Sequence, residues 1–300
     1  MPIHDAGYRR YSGPVTARLW RWLVLVRTEF KLGFRNKWLW VLYFVGIVPF
    51  LVFFAPVYIK YVLMPGVTER VNAGGPGGGG GPFNSPVFDP MQPEYYYNPT
   101  LRNAVFLFIL YAAIVGTGIV ARDKRANAME LYLARSIGRT SYFLGKWGGV
   151  LALHLLQFVV PTLVLWLSVV LVYPDWGLLE HTVGFMPQVL GGLVAFTLFV
   201  TFLVTAVSSC TDSPAFAALI WLVISSFLGL LAQMLRQFLA SPSYAALSPW
   251  LAATRVAEAI GGLHPRIDIP VSHALASVAL YTVLGVLLLR RGLRVVEVAQ

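Results

Sequence analysis

Six stretches of this 300-residue chain contain no Asp, Glu, Lys or Arg: Trp38–Ile59, Asn103–Ala121, Trp147–Tyr173, Thr182–Thr211, Ser213–Leu235 and Val271–Leu289. A helix of about 20 apolar residues rises far enough to cross a hydrocarbon layer roughly 30 Å thick, and each run reaches that length. Spans of a β-barrel would be about ten residues long with strict alternation, a pattern these runs lack. Composition agrees, at 57% hydrophobic and 12% charged, where soluble domains carry about a quarter charged residues. The expected fold is therefore all-α and integral to a membrane. Its six transmembrane helices are placed at 38–60, 101–121, 146–173, 187–208, 214–235 and 271–289.

The net charge of +10 raises nucleic acid as a partner, so the placement of the charge matters. With both termini on one side, eight of the 23 Lys and Arg precede the first span, six lie between spans two and three, and three follow span six. The opposite side holds only Lys60, Arg70, Arg102, Arg236, Arg255 and Arg266, while the acids divide almost evenly. A bias in basic residues without one in acids is the signature of cytoplasmic loops. Both termini are thus expected in the cytoplasm, and the basic excess serves topology and lipid headgroups rather than nucleic acid.

This orientation assigns the connections. The 1–37 segment is cytoplasmic, with a helix over 15–37 expected at the membrane interface because Trp20, Trp22 and interspersed arginines suit headgroup depth. The outer loop 61–100 holds seven glycines within 74–81 and repeated prolines, which favour an extended chain. Tyr95–Tyr97 at its end read as interfacial anchors more readily than as a contact for a substrate or partner. A short outer loop, 174–186, joins spans three and four. Residues 209–213 form a cytoplasmic turn, after which Pro214 suits a first helical position. The outer connection 236–270 is amphipathic over Leu247–Ile260, predicting a short helix on or in the outer leaflet, and 290–300 form a cytoplasmic tail. The first apolar run begins too late, and runs too long, for a secretory signal, so it is expected to remain as an anchor.

The sequence offers little material for catalysis. Cys210 is a lone cysteine, and the five histidines lack the spacing of a metal site. His154 and His273 within spans read more readily as packed polar groups than as functional ones. No G-x-x-x-x-G-K-[ST] loop is present. The six runs also hold no carboxylate of the kind that ion-coupled carriers place near the bilayer midplane. The chain is expected to be neither an enzyme nor self-powered, and to hold no cofactor.

The exception to this scarcity of charge is the loop 122–145. Asp123 can cap a helix in which Ala126, Met129, Leu133 and Ile137 form one apolar stripe, Glu130, Arg135 and Arg139 supply polar points, and Gly138 is a stop. Such a helix can rest on lipid or dock in a groove of a soluble partner. The stretch "ARDKRANAMELYLARSIGRTSYFLGKW" resembles the loop between the second and third spans of type-2 ABC transporter permeases. Their pattern runs roughly E/A-L-x-L-Y-L-x-R-P-[LI]-x-R-x-x-Y-x-x-G-K. The chain matches it at Glu130, Leu131, Tyr132, Leu133, Arg135, Ile137, Arg139, Tyr142, Gly145 and Lys146, with Ser136 where the family has proline. The turn "VSSCTDSPAFAALIW" and the segment "LSPWLAATRVAEAI" fit the same plan.

The resemblance implies that 122–145 is a coupling helix seated in a cytoplasmic ABC ATPase subunit, with Glu130, Leu131, Leu133, Arg135 and Arg139 at the contact. It further implies two permease copies, or one and a paralogue, forming an exporter in a prokaryotic plasma membrane. Two ATPase copies would supply ATP and Mg sites. Gly145 with Gly149, and Gly191 with Ala195, have the small-residue spacing of helix pairs and are candidate contacts between copies. The competing reading is a non-transporting anchor or assembly factor that recruits a partner through the same loop.

Overall fold

The structure is a computed structural model that describes residues 20–64, 86–103, 105–129 and 138–293, and among these it is helical without strands. Ten α-helices follow in order: α1 (Arg21–Phe34), α2 (Lys37–Tyr58), α3 (Pro93–Tyr97), α4 (Val105–Val115), α5 (Gly118–Arg125), α6 (Arg139–Val172), α7 (Gly177–Ser208), α8 (Pro214–Phe238), α9 (Pro249–Ile260) and α10 (Val271–Gly292). Six helical stretches are long and apolar enough to cross a membrane, as the uncharged runs predict: Lys37–Leu63, Val105–Arg125, α6, α7, α8 and α10. Residues 1–19, the glycine-rich 65–85 and the tail 294–300 lie outside the described residues.

Local chemistry sets several helix starts. Asn36 Oδ1 accepts from Trp38 N at 3.1 Å to cap α2. Ser213 Oγ accepts from Phe216 N at 3.4 Å at the start of α8, and Ser248 Oγ accepts from Leu251 N at 3.4 Å at the start of α9. Both of these helices carry proline at their first position, where its missing N–H costs no intrahelical bond.

The second span is interrupted. Helix α4 stops at Val115 and α5 starts at Gly118, which leaves backbone groups of the break without intrahelical partners. Ser208, at the end of α7, supplies them. Its hydroxyl donates to Thr117 O at 2.6 Å and accepts from Val120 N at 3.0 Å and Ala121 N at 3.2 Å. One donor and two acceptor sites are thereby all used. Gly116 is needed at the break because a β-carbon there would stand 2.5 Å from Val204 Cγ1.

The core is aromatic. Phe108 stacks on Phe158 with ring centroids 3.6 Å apart and meets Phe196 and Trp250 edge-on, each at 5.2 Å. His154 lies within this cluster, fully buried. Thr201 gives its own proton to Thr197 O at 2.6 Å, so the His154 ring donates from Nδ1 to Thr201 Oγ1 at 2.7 Å. The ring is packed as the sequence reading expects, but its Nε2 is buried without a partner among the described residues.

Two expectations for the outer connections change. Tyr95, Tyr96 and Tyr97 are completely buried rather than seated at an interface. Tyr95 Oη donates to Phe53 O at 2.7 Å and Tyr96 Oη to Pro90 O at 3.0 Å, tying α3 to α2 and to its own lead-in. Helix α9, expected as a short helix on or in the outer leaflet, packs into the bundle. Trp250 enters the aromatic core, and Gly192 of α7 comes so close that a β-carbon would meet Ala257 O at 2.4 Å.

Candidate functional site: the stems of the basic loop

The loop singled out by sequence leaves from α5 and returns through α6. Of its predicted contact residues, Glu130, Leu131, Leu133 and Arg135 lie outside the described residues. Arg139 is described, and it is exposed at the first position of α6. What the structure shows is how the two stems are held.

Helix α5 ends in a basic turn of Arg122, Lys124 and Arg125, where cations meet the negative end of the helix dipole. The chain then turns at Asn127, whose φ of 51° is left-handed, a region that asparagine tolerates better than most residues. Met129 follows, buried against Leu25 of α1 and Tyr142 of α6. Lys124 Nζ donates to Ser209 O, which anchors the leaving stem to the end of α7.

Beneath the stems sits a buried ionic cluster. Lys146 Nζ lies 2.5 Å from Glu29 Oε1 and 2.6 Å from Asp123 Oδ2, with the lysine side chain only 3% exposed. Tyr142 Oη donates to the same Asp123 Oδ2 at 2.7 Å. Two carboxylates, from α1 and α5, thus meet on one ammonium group of α6, and Tyr142 braces one of them. Burying a charge is costly unless it is paired and hydrogen-bonded, and here the lysine is paired twice. Glu29 was not among the residues that sequence reasoning marked. The signal was present as a lone acid within an apolar helix, but its partner is 117 positions away.

The glycines of α6 admit α1 to this cluster. A β-carbon at Gly145 would stand 2.5 Å from Leu25 Cβ and 2.9 Å from Trp22 O, and one at Gly149 would stand 2.4 Å from Glu29 Cβ. The Gly145 and Gly149 pair therefore receives α1 of the same chain, which corrects its expected role between two copies. At Gly191 a β-carbon would stand 3.6 Å from Ile260 of α9, an ordinary van der Waals contact. The Y-x-x-G-K spacing now has a physical account. One turn of α6 presents Tyr142 and Lys146 to Asp123, while Gly145 opens the groove for α1.

The arrangement fixes both stems of the loop to α1 through Lys146. Among the described residues no cluster of His, Cys, Asp and Glu could hold a metal ion. A search of curated proteins finds no match to the chain. A family model described as "ABC-2 family transporter protein" matches residues 23–249, from within α1 to the first residue of α9. With that match over most of its length, six helices fit to cross a membrane and the framed basic loop, the chain belongs to the ABC-2 family of transporter permeases.

Proposed function

We propose that the chain is the membrane-spanning subunit of an ATP-driven exporter in a prokaryotic plasma membrane. Two copies, or one copy and a paralogue, would form the substrate path. Each would receive a separate ABC ATPase subunit at the 122–145 loop, on the cytoplasmic side with both termini. ATP and Mg belong to that partner. In this orientation α1 lies along the cytoplasmic headgroup layer, with Trp20 exposed beside it.

The observation that carries the reading is the Asp123–Lys146–Glu29 cluster. It ties both stems of the loop to α1, so a displacement of the loop moves α5 and α6 together rather than bending one stem. Membership of the permease family supports the transport role, and the excess of Lys and Arg at this end supports the orientation.

The test is ATP hydrolysis and transport in proteoliposomes. The chain alone is expected to be inactive, and addition of the ATPase is expected to confer both activities. Uptake by the chain alone, driven by a proton or sodium gradient, would replace this reading with a secondary carrier.

A further inference from the structure

At the end of the bundle opposite the basic loop, a cavity of about 540 Å³ opens between the start of α4, the end of α8, and α9 with the segment after it. Ligand pockets run from about 300 to 1,000 Å³, so this one can take a small molecule or a headgroup. Its polar lining is dominated by donors. Arg236, Arg255 and Arg266 carry guanidinium groups, which only donate, and so does the Trp250 indole N–H.

Two of the lining groups are buried without a partner among the described residues: Trp250 Nε1 and Thr254 Oγ1. Their side chains belong to residues 7% and 8% exposed. Buried polar atoms without partners are rare and ask for an explanation. Trp250 is pinned between Phe108 at 5.2 Å and Phe196 at 4.9 Å, which holds its ring in place. Arg255 spends its Nε on Ile269 O at 2.9 Å, leaving its terminal nitrogens, and Arg236 has no ion pair among the described residues.

The one acid in the lining is already engaged. Glu258 Oε1 accepts from Arg266 N at 3.4 Å and lies 3.8 Å from Arg102 Nη2. Three guanidinium groups against one occupied carboxylate leave the cavity short of negative charge.

We propose that this cavity binds an oxyanion, a phosphate or carboxylate, with the Arg236 and Arg255 guanidinium groups supplying charge and hydrogen bonds. The remaining wall, with Leu101, Val105, Leu251, Ile267 and Ile269, is apolar and suits the stem of an amphiphile. A lipid headgroup and a free anion share the recognised chemistry. The site is complete within one chain, so its occupancy does not depend on ATP-driven transport.

Binding is measured on the purified full chain in a neutral detergent, by native mass spectrometry and thermal shift. The probes are inorganic phosphate, short-chain phosphatidylglycerol, and a short-chain diacylglycerol as a control with the same tails and no oxyanion. Phosphatidylglycerol is expected to bind at least about tenfold more tightly than the diacylglycerol, the worth of one charge-assisted hydrogen bond. Stabilisation by phosphate alone would identify a free anion as the natural occupant. Stabilisation by the phospholipid alone would identify a headgroup, and either result upholds the site. The double variant Arg236→Gln/Arg255→Gln should lose at least about tenfold in affinity. Should it fail to fold, Gln233→Glu serves instead, because it adds a negative charge at a half-buried position of the lining and should weaken anion binding. Binding of phosphatidylglycerol no tighter than that of the diacylglycerol with no phosphate effect, or unchanged affinity in a folded variant, overturns the proposal.

Discussion

Lys146 Nζ lies 2.6 Å from Asp123 Oδ2, so α6 and α5 are clamped together at the two points where the basic loop leaves and re-enters the bundle. The same ammonium reaches Glu29 at 2.5 Å, which adds α1 to the clamp. A helix seated in a motor subunit transmits movement only if its stems are stiff, and a buried, doubly paired cation is stiffer than an exposed pair. Its loss should therefore show both in stability and in coupling.

Lys146→Ala leaves two carboxylates facing each other in a dry site. Removing one partner of a buried ion pair costs about 3–5 kcal/mol, because the other charge stays buried and unpaired. Thermal unfolding in detergent is expected to fall accordingly. The combined change Lys146→Met, Glu29→Gln and Asp123→Asn removes all three charges and should recover much of that loss. An unchanged melting point for Lys146→Ala would show that the cluster does not hold the stems.

The predicted contact residues are tested by Glu130→Arg and Leu133→Asp. Both variants should insert into the membrane normally and lose the ATP hydrolysis that the permease stimulates in its partner. At Leu133 the change places a charge against an apolar groove, at a cost of several kcal/mol unless the helix moves away. Full turnover in both variants would remove this segment from the coupling path.

Topology is tested by labelling intact cells in a Cys210→Ser background. A cysteine at Gly78 should react with an impermeant reagent from outside, and one at Asn127 should be protected, since seventeen of the 23 basic residues lie on the side of Asn127. Outside labelling at Asn127 would invert or break the six-span arrangement.

Ser208→Ala should loosen the break in the second span. It strands Thr117 O, Val120 N and Ala121 N in a buried site, and each unsatisfied group costs about 1–3 kcal/mol. Faster hydrogen exchange confined to 118–125, together with a lower melting point, is the expected result. Unaltered exchange there would mean that the backbone finds other partners.

Stability should also depend on pH through Glu258. Burial pushes its carboxyl up, and the Arg266 amide with Arg102, Arg255 and Arg266 only partly offsets this. An acid whose folded value is raised keeps its proton longer when folded. Stability is therefore greatest at and below the ordinary value of 4.5, and it declines as pH climbs from there through the folded value. Glu258→Gln should flatten melting temperature against pH across that window. A slope that survives the substitution would assign it to another group.

The six stretches fit to cross a membrane and the family resemblance carried by the basic loop were legible in the sequence. Apolar length and the scarcity of charge are local properties, and the bilayer reads them one segment at a time. The Y-x-x-G-K spacing pointed to Tyr142, Gly145 and Lys146 without giving their partners. What only the tertiary structure decided is which part of the chain fills each face. Gly145 and Gly149 offered a small-residue groove that any helix could enter, and α1 occupies it. Tyr95–Tyr97 had the composition of interfacial anchors, yet their hydroxyls meet carbonyls inside the fold or end buried. Trp250 and Thr254 sat in a segment readable as a short helix on or in the outer leaflet, and it packs into the bundle with Ala257 against Gly192. In each case the sequence carried the residue's shape and polarity. Its environment was set by a neighbour distant along the chain, as Glu29 is for Lys146, and no local pattern encodes that distance.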